Sequence, residues 1–196
     1  MPNSQRFLVI QAGFTGDETL VREHLSSPDA QVRASALRAL HRLESLTASD
    51  LNAAISDEHF NVRRTAVELA ASFPTVSVHA LLNDHDVFVA EMAAWSLGER
   101  SPVTDIEISA LIANTTSHDE PVVREACAAA LGSLADERGL PAILAACNDK
   151  PAVRRRAVLA LAPFEGEEVE AALHKALEDN DWQVRQNAEV LLHPRD

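Results

Sequence analysis

The sequence predicts an all-α chain built as a row of stacked helix pairs, and three observations predict it. First, a Val-Arg pair followed by an alanine-rich apolar stretch recurs, as QVRASALRAL from Gln31, NVRRTAVELA from Asn61, VVREACAAAL from Val122, AVRRRAVLAL from Ala152 and QVRQNAEVLL from Gln183, with a degenerate copy, FVAEMAAWSL, from Phe88. Second, the valines Val32, Val62, Val89, Val123, Val153 and Val184 are separated by steps of 30, 27, 34, 30 and 31 residues. A fixed period near thirty marks an architecture in which each unit buries its apolar face only against its neighbours. Third, aromatics are 4% of the chain, Tyr is absent and few valine–isoleucine runs alternate with polar residues as strands would. Alanine and leucine dominate instead, and both are favourable in helices.

The elements follow in order. Residues 3–14 resemble the end of a later helix and its exit, so they are expected to form an unpaired capping helix. Six helix pairs should follow. Their first helices are expected at Asp17–Leu25, Ser49–Ile55, Val76–Leu82, Asp105–Asn114, Leu140–Cys147 and Glu167–Leu177, and their second helices at 31–43, 61–73, 88–98, 122–134, 152–162 and 183–192. The joints SSPDA, SDEHFN, NDHDV, HDEPV, NDKPA and EDNDWQ supply capping oxygens, acidic charge and first-turn prolines for the second helices. Gly98, Gly132, Gly139, Pro74 and Pro163 read as helix exits. One domain over 1–196 is expected, with a looser joint near 99–104, where the longest step carries GERSPVTD.

With the valine as position zero, apolar residues fall at 0, +4, +7 or +8 and often +11, which is one buried stripe at helical spacing. Position +4 is alanine in five repeats and Cys127 in the other, as a crowded helix crossing requires.

Composition narrows function. The net charge of −13 repels phosphate backbones and opposes nucleic acid as a partner. FLVIQAGF is too short to span a membrane and no export signal is read, so a reducing cytoplasm is the expected setting. Cys127 and Cys147 read as core filler rather than as a disulfide or a zinc site. The eight histidines are scattered, and no metal or other cofactor is expected. No Ser-His-Asp set or Gly-rich phosphate loop has supporting context.

The period, the helix pairs and the Asp-then-Val-Arg joint together resemble HEAT repeats of the short type also found in phycobilisome-lyase-like proteins. WSLGER, DKPAVRRRAVLALAPF and DWQVRQNAE are also similar to stretches of actinobacterial HEAT-repeat proteins. The resemblance covers essentially the whole chain and implies a right-handed α-α superhelix, a HEAT-like α-solenoid. It also implies a ladder of joint aspartates and Val-Arg arginines linking adjacent repeats: Asp29 with Arg33, Asp57 with Arg63, Asp119 with Arg124, Asp149 with Arg154, and Asp179 with Arg185. The third repeat departs from it, because Ala90 stands where the arginine would be, so Asp84 is expected to be differently paired.

Positions +2 and +6 point away from the buried stripe, and in HEAT-type solenoids that side lines the inner surface. The +6 row runs from charged Arg38 and Glu68 to apolar Trp95, Ala129, Leu159 and Val190. These apolar residues are the expected floor of a groove, rimmed by Glu91, Glu125 and Arg155, with Arg64 and Gln186 on the same side. An exposed tryptophan in a groove is the kind of anchor that dominates binding energy. Trp182 is expected to pack a loop against the last helix pair, and Arg154, Arg155 and Arg156 to present a solvated face beside the ladder. The expected function is a non-catalytic interaction scaffold that takes a basic or amphipathic protein or peptide segment. The alternative is a HEAT-like enzyme, phycobilin-lyase-like or DNA-base-excising, with a site the sequence does not announce.

Overall fold

The computed structural model describes residues 2–193, and among them every regular element is a helix. Twelve α-helices follow one another: α1 Pro2–Thr15, α2 Glu18–Glu23, α3 Ala30–Arg42, α4 Ala48–Ala54, α5 Phe60–Leu69, α6 Val87–Gly98, α7 Asp105–Ser117, α8 Pro121–Leu134, α9 Leu140–Ala146, α10 Pro151–Ala160, α11 Glu167–Ala176 and α12 Trp182–Leu192. Short 3₁₀ turns extend or replace helices at His24–Ser26, Ala70–Ser72, His79–Asn83 and Glu137–Gly139. The chain divides into two compact units, Met1–Val78 and His79–Asp196.

Local chemistry sets the helix starts. The Asp29, Asp86 and Asp181 carboxylates accept backbone N–H bonds at the starts of α3, α6 and α12. Thr47 with Asp50, and Thr104 with Glu107, close reciprocal capping boxes on α4 and α7. The Nδ1 atom of His59 caps α5 by accepting from Asn61 N–H. Pro121 and Pro151 open α8 and α10, where a missing N–H costs nothing.

In the first unit α1 packs on α3 and α3 on α5, with α2 and α4 behind them. In the second, α6, α8, α10 and α12 stack in sequence, backed by α7, α9 and α11. All six position-zero valines are buried, and so is every +4 residue: Ala36, Ala66, Ala93, Cys127, Ala157 and Ala188. The helices approach so closely that glycine is required at the crossings. A Cβ on Gly132 would lie 2.7 Å from both Cα and Cβ of Ala160, and one on Gly98 would lie 2.9 Å from Cα of Ala130. Gly13 meets Ala39 in the same way in the first unit. Gly132 therefore lies inside α8 as a packing residue, where the sequence reads as a helix exit.

One expected helix is missing. Val76–Leu82 is not α-helical; only His79–Asn83 turns, as 3₁₀. The shortest step, 27 residues, falls here. Residues 75–78 read Thr-Val-Ser-Val, and Val76 and Val78 are buried while Ser77 between them is exposed, the alternation of extended chain. β-Branched residues behind Pro74 have too little length to pay back helix nucleation. Around 99–104, inside the second unit, Arg100 is buried and donates to Glu107 at 2.7 Å. Burial pulls the Arg100 guanidinium below its usual range, against the raising effect of Glu107.

The arginine ladder is present, with a different register. Three of the arginines reach the aspartate of the following joint, not of their own: Arg33 to Asp57, Arg124 to Asp149 and Arg154 to Asp179, each with two hydrogen bonds of 2.6–2.8 Å. An arginine's own joint is held through backbone oxygens. The Nη1 atoms of Arg33, Arg63, Arg124, Arg154 and Arg185 donate to the carbonyls of Ser27, Asp57, His118, Asp149 and Asp179. Asp29 is a cap and not a rung. The geometric reason is reach: an arginine one turn into a helix can span to the next hairpin, while its own joint lies against its guanidinium edge. Hydrogen bonds from Arg124 and Arg154 hold the Asp149 and Asp179 carboxyls below the ordinary carboxylate range. Between α6 and α8 the rung is absent, because Ala90 has no guanidinium to offer Asp119, which is exposed.

Candidate binding groove

The site lies in the second unit, on the side of α6, α8 and α10 turned away from their buried valine stripe. Those helices are fixed by the valine stripe beneath and by the Gly98–Ala130 and Gly132–Ala160 contacts between them. Small residues at the crossings bring the backbones together and leave a trough between larger neighbours. Trp95 stands 46% exposed at one side of it. With Ala129, Ala126, Val122 and Gly98 it walls a cavity of about 310 Å³, whose polar margin is Glu91, Glu99, Glu125, Ser133 and Arg156. A second cavity of about 480 Å³ continues along α8 and α10 past Leu159, Ala160 and Pro163. Ala129, Ser133 and Arg156 line both. Three carboxylates against one guanidinium make the first cavity's margin acidic.

Of the ten residues singled out in the sequence, the structure brings Glu91, Trp95, Glu125 and Ala129 into one cavity and sets Leu159, 41% exposed, in the adjoining one. Gln186 and Val190 are exposed on α12, outside both. Arg155 is turned away from the trough. It makes hydrogen bonds of 3.0 and 3.1 Å and an ion pair to Asp181, the cap of α12, and that contact holds the Asp181 carboxyl down to about 2. In the first unit Arg64 is exposed and Glu68 is paired with Arg38 at 2.6 Å. Trp182, expected against the last hairpin, is instead 61% exposed at the start of α12.

Sequence reasoning missed Glu99, Ser133 and Arg156, and a signal for them existed. Glu99 and Ser133 lie at +10, one turn beyond Trp95 and Ala129, and Arg156 lies at +3; at a hundred degrees per residue these fall within about 60° of +6. The +2 and +6 rows were too narrow an arc.

Cys127 and Cys147 are free thiols, and burial raises them to about 12 and about 11. Neither is poised as a nucleophile, since the thiolate is the reactive form. Among the described residues no group of three or more His, Cys, Asp or Glu side chains stands together as metal ligands, and no helix is long and apolar enough to cross a membrane. His59 and His118 are occupied as acceptors of backbone N–H bonds.

Residues 108–192 match the family model of HEAT repeats. That stretch of the chain carries HEAT repeats. Solved structures extend the likeness along the remaining helices. A protein of Escherichia coli, YibA, is 21% identical, with a TM-score of 0.69 over 94% of this chain and 72% of its own. A designed armadillo repeat protein in complex with the peptide (KR)4 is 19% identical, with a TM-score of 0.62 over 88% of this chain and 96% of its own. A computationally designed armadillo repeat protein for modular peptide recognition is likewise 19% identical, with a TM-score of 0.59 over 88% and 97%. These identities establish the armadillo/HEAT fold and nothing finer. No curated protein matches the chain in sequence.

Proposed function

We propose that this HEAT-repeat protein is a non-catalytic interaction scaffold that seats a basic or amphipathic segment of a partner protein in the trough over α6, α8 and α10. The observation that carries the reading is Trp95, a large aromatic left 46% exposed at the wall of a cavity whose margin holds Glu91, Glu99 and Glu125. An aromatic face with carboxylates beside it attracts a cationic side chain through the ring's quadrupole and through charge. Affinity comes from covering the tryptophan and the alanines around it, and selectivity from the acidic margin. The (KR)4 peptide held by the designed armadillo repeat protein supports a basic ligand on this fold by analogy alone. The net charge of −13 supports a protein partner over nucleic acid. The free thiols support a reducing, cytoplasmic setting.

The experiment uses the chain's two tryptophans. In a Trp182→Phe background Trp95 is the one fluorophore of its kind, and titration with the (KR)4 peptide should shift its emission saturably. Trp95→Ala should weaken binding measured by calorimetry about tenfold or more. Equal affinity of Trp95→Ala and its parent would refute the groove.

A further inference from the structure

Arg156 divides the trough. It lines both cavities, together with Ala129 and Ser133. Its neighbours on α10 are committed elsewhere, Arg154 to Asp179 and Arg155 to Asp181. Arg156 is not held so firmly. Its Nε lies 3.6 Å from Oε1 of Glu125, too far for a hydrogen bond, and its side chain is half-exposed. So a long, loosely held cation lies across the middle of the trough, on one of the carboxylates of its acidic margin.

We infer that Arg156 is an intramolecular bar on this groove, resting on Glu125 and swinging aside when a cationic side chain of the partner takes that carboxylate. The inference rests on the groove reading above and adds how occupancy is controlled. With the bar in place the trough is two short cavities. With it displaced, Ala129 and Ser133 become the floor of one continuous channel from Trp95 to Leu159. That channel crosses three neighbouring helices, a span of about 16–20 Å at ordinary interaxial spacing. It fits about five or six residues of extended chain. The energetics are balanced. An exposed ion pair is weak, so the bar opens at little cost, yet its charge must be displaced before an incoming cation gains the full attraction of Glu125. A bar of this kind favours a segment with several cations over a single one and selects against acidic or neutral chains.

The test compares the full chain in the Trp182→Phe background with Arg156→Gln and Arg156→Lys versions of it. The probes are the (KR)4 peptide and a glutamate–lysine peptide of equal length and zero net charge. Emission of Trp95 and calorimetry are the readouts, with helicity and melting checked by circular dichroism. Arg156→Gln should bind (KR)4 about two- to fivefold more tightly than its parent, the worth of one exposed ion pair. Arg156→Lys should return to the parent's affinity. The gain should shrink as salt is raised, and it should be absent for the neutral peptide. Unchanged or weaker (KR)4 binding by Arg156→Gln, with the Trp95 response intact, overturns the bar and leaves the groove standing. Tightening by the same factor for both peptides overturns it as well, since relief of charge cannot act equally on both. Loss of the Trp95 response in every version overturns the groove, and the bar with it.

Discussion

The +6 positions of the two units differ in a way their scaffolds do not. In the first unit Arg38 and Glu68 close on each other at 2.6 Å across α3 and α5. In the second, Trp95, Ala129 and Leu159 hold the same positions on α6, α8 and α10 and leave apolar surface in water. Beneath both lie the same buried valine, the same small +4 residue and a glycine against an alanine of the next helix. A repeated fold thus separates two tasks. The inner stripe repeats because every crossing has the same shape, while the outer row is free to vary because it supports no crossing. The row's change from paired charge to unpaired aromatic marks where binding is to be sought.

The contrast can be broken first at its shared base. Gly132→Val should be the most damaging change, about 3 kcal/mol from overpacking, because the clash is with Cα, Cβ and O of Ala160 and not with a movable side-chain end. Urea unfolding followed by circular dichroism reads it, and Gly13→Val should cost less, since its contacts at 2.8–3.2 Å include the mobile Nη1 of Arg42. An equal loss at both glycines would mean that the crossings are not as different as their distances.

The ladder gives a smaller, pH-dependent effect. Arg124, Arg154 and Arg155 hold Asp149, Asp179 and Asp181 below the usual carboxylate range. A lowered folded-state value means that the stabilisation is complete above the unfolded value near 4 and is lost as pH falls through the folded values. Melting temperature should therefore be level from pH 7 to about 4.5 and decline toward about pH 2. Arg154→Met should lower the plateau and flatten the decline, and a decline of unchanged steepness would exclude the ladder as its source. Smallest of all, Arg38→Ala should cost about 0.5 kcal/mol, since its pair with Glu68 is half-exposed. Comparison of its unfolding with that of the parent in low and high salt checks this, because the difference should vanish as salt rises.

How much of this was legible in the sequence follows from range. The stripe 0, +4, +7/+8 is a local periodicity, and with the joint residues it lets twelve of the thirteen expected helices be read from the sequence and Trp95 be placed on α6 away from the buried stripe. The exception, Val76–Leu82, failed because the shortest step leaves room only for the 3₁₀ turn at His79–Asn83 before α6, and its alternating valines satisfy burial without an α-helix. The ladder's register was not legible, because whether Arg124 meets Asp119 or Asp149 depends on the rise between hairpins, which no local pattern encodes. Arg155 and Arg156 show the same limit. They are adjacent and identical, yet one is bound to the cap of α12 and the other lies across the trough, and only the neighbouring helices distinguish them.

The missing rung between α6 and α8 has a consequence for the trough above it. With Ala90 in place of the ladder arginine there is no electrostatic strap to Asp119, so the separation of these two helices is governed by the seating of Gly98 on the Ala130 backbone and by buried methyl groups. Dispersion and water exclusion are not screened by dissolved ions, whereas guanidinium–carboxylate straps are weakened by them. The width of the cleft beside Trp95 is therefore expected to depend less on salt than the spacing of the strapped helices α8 and α10.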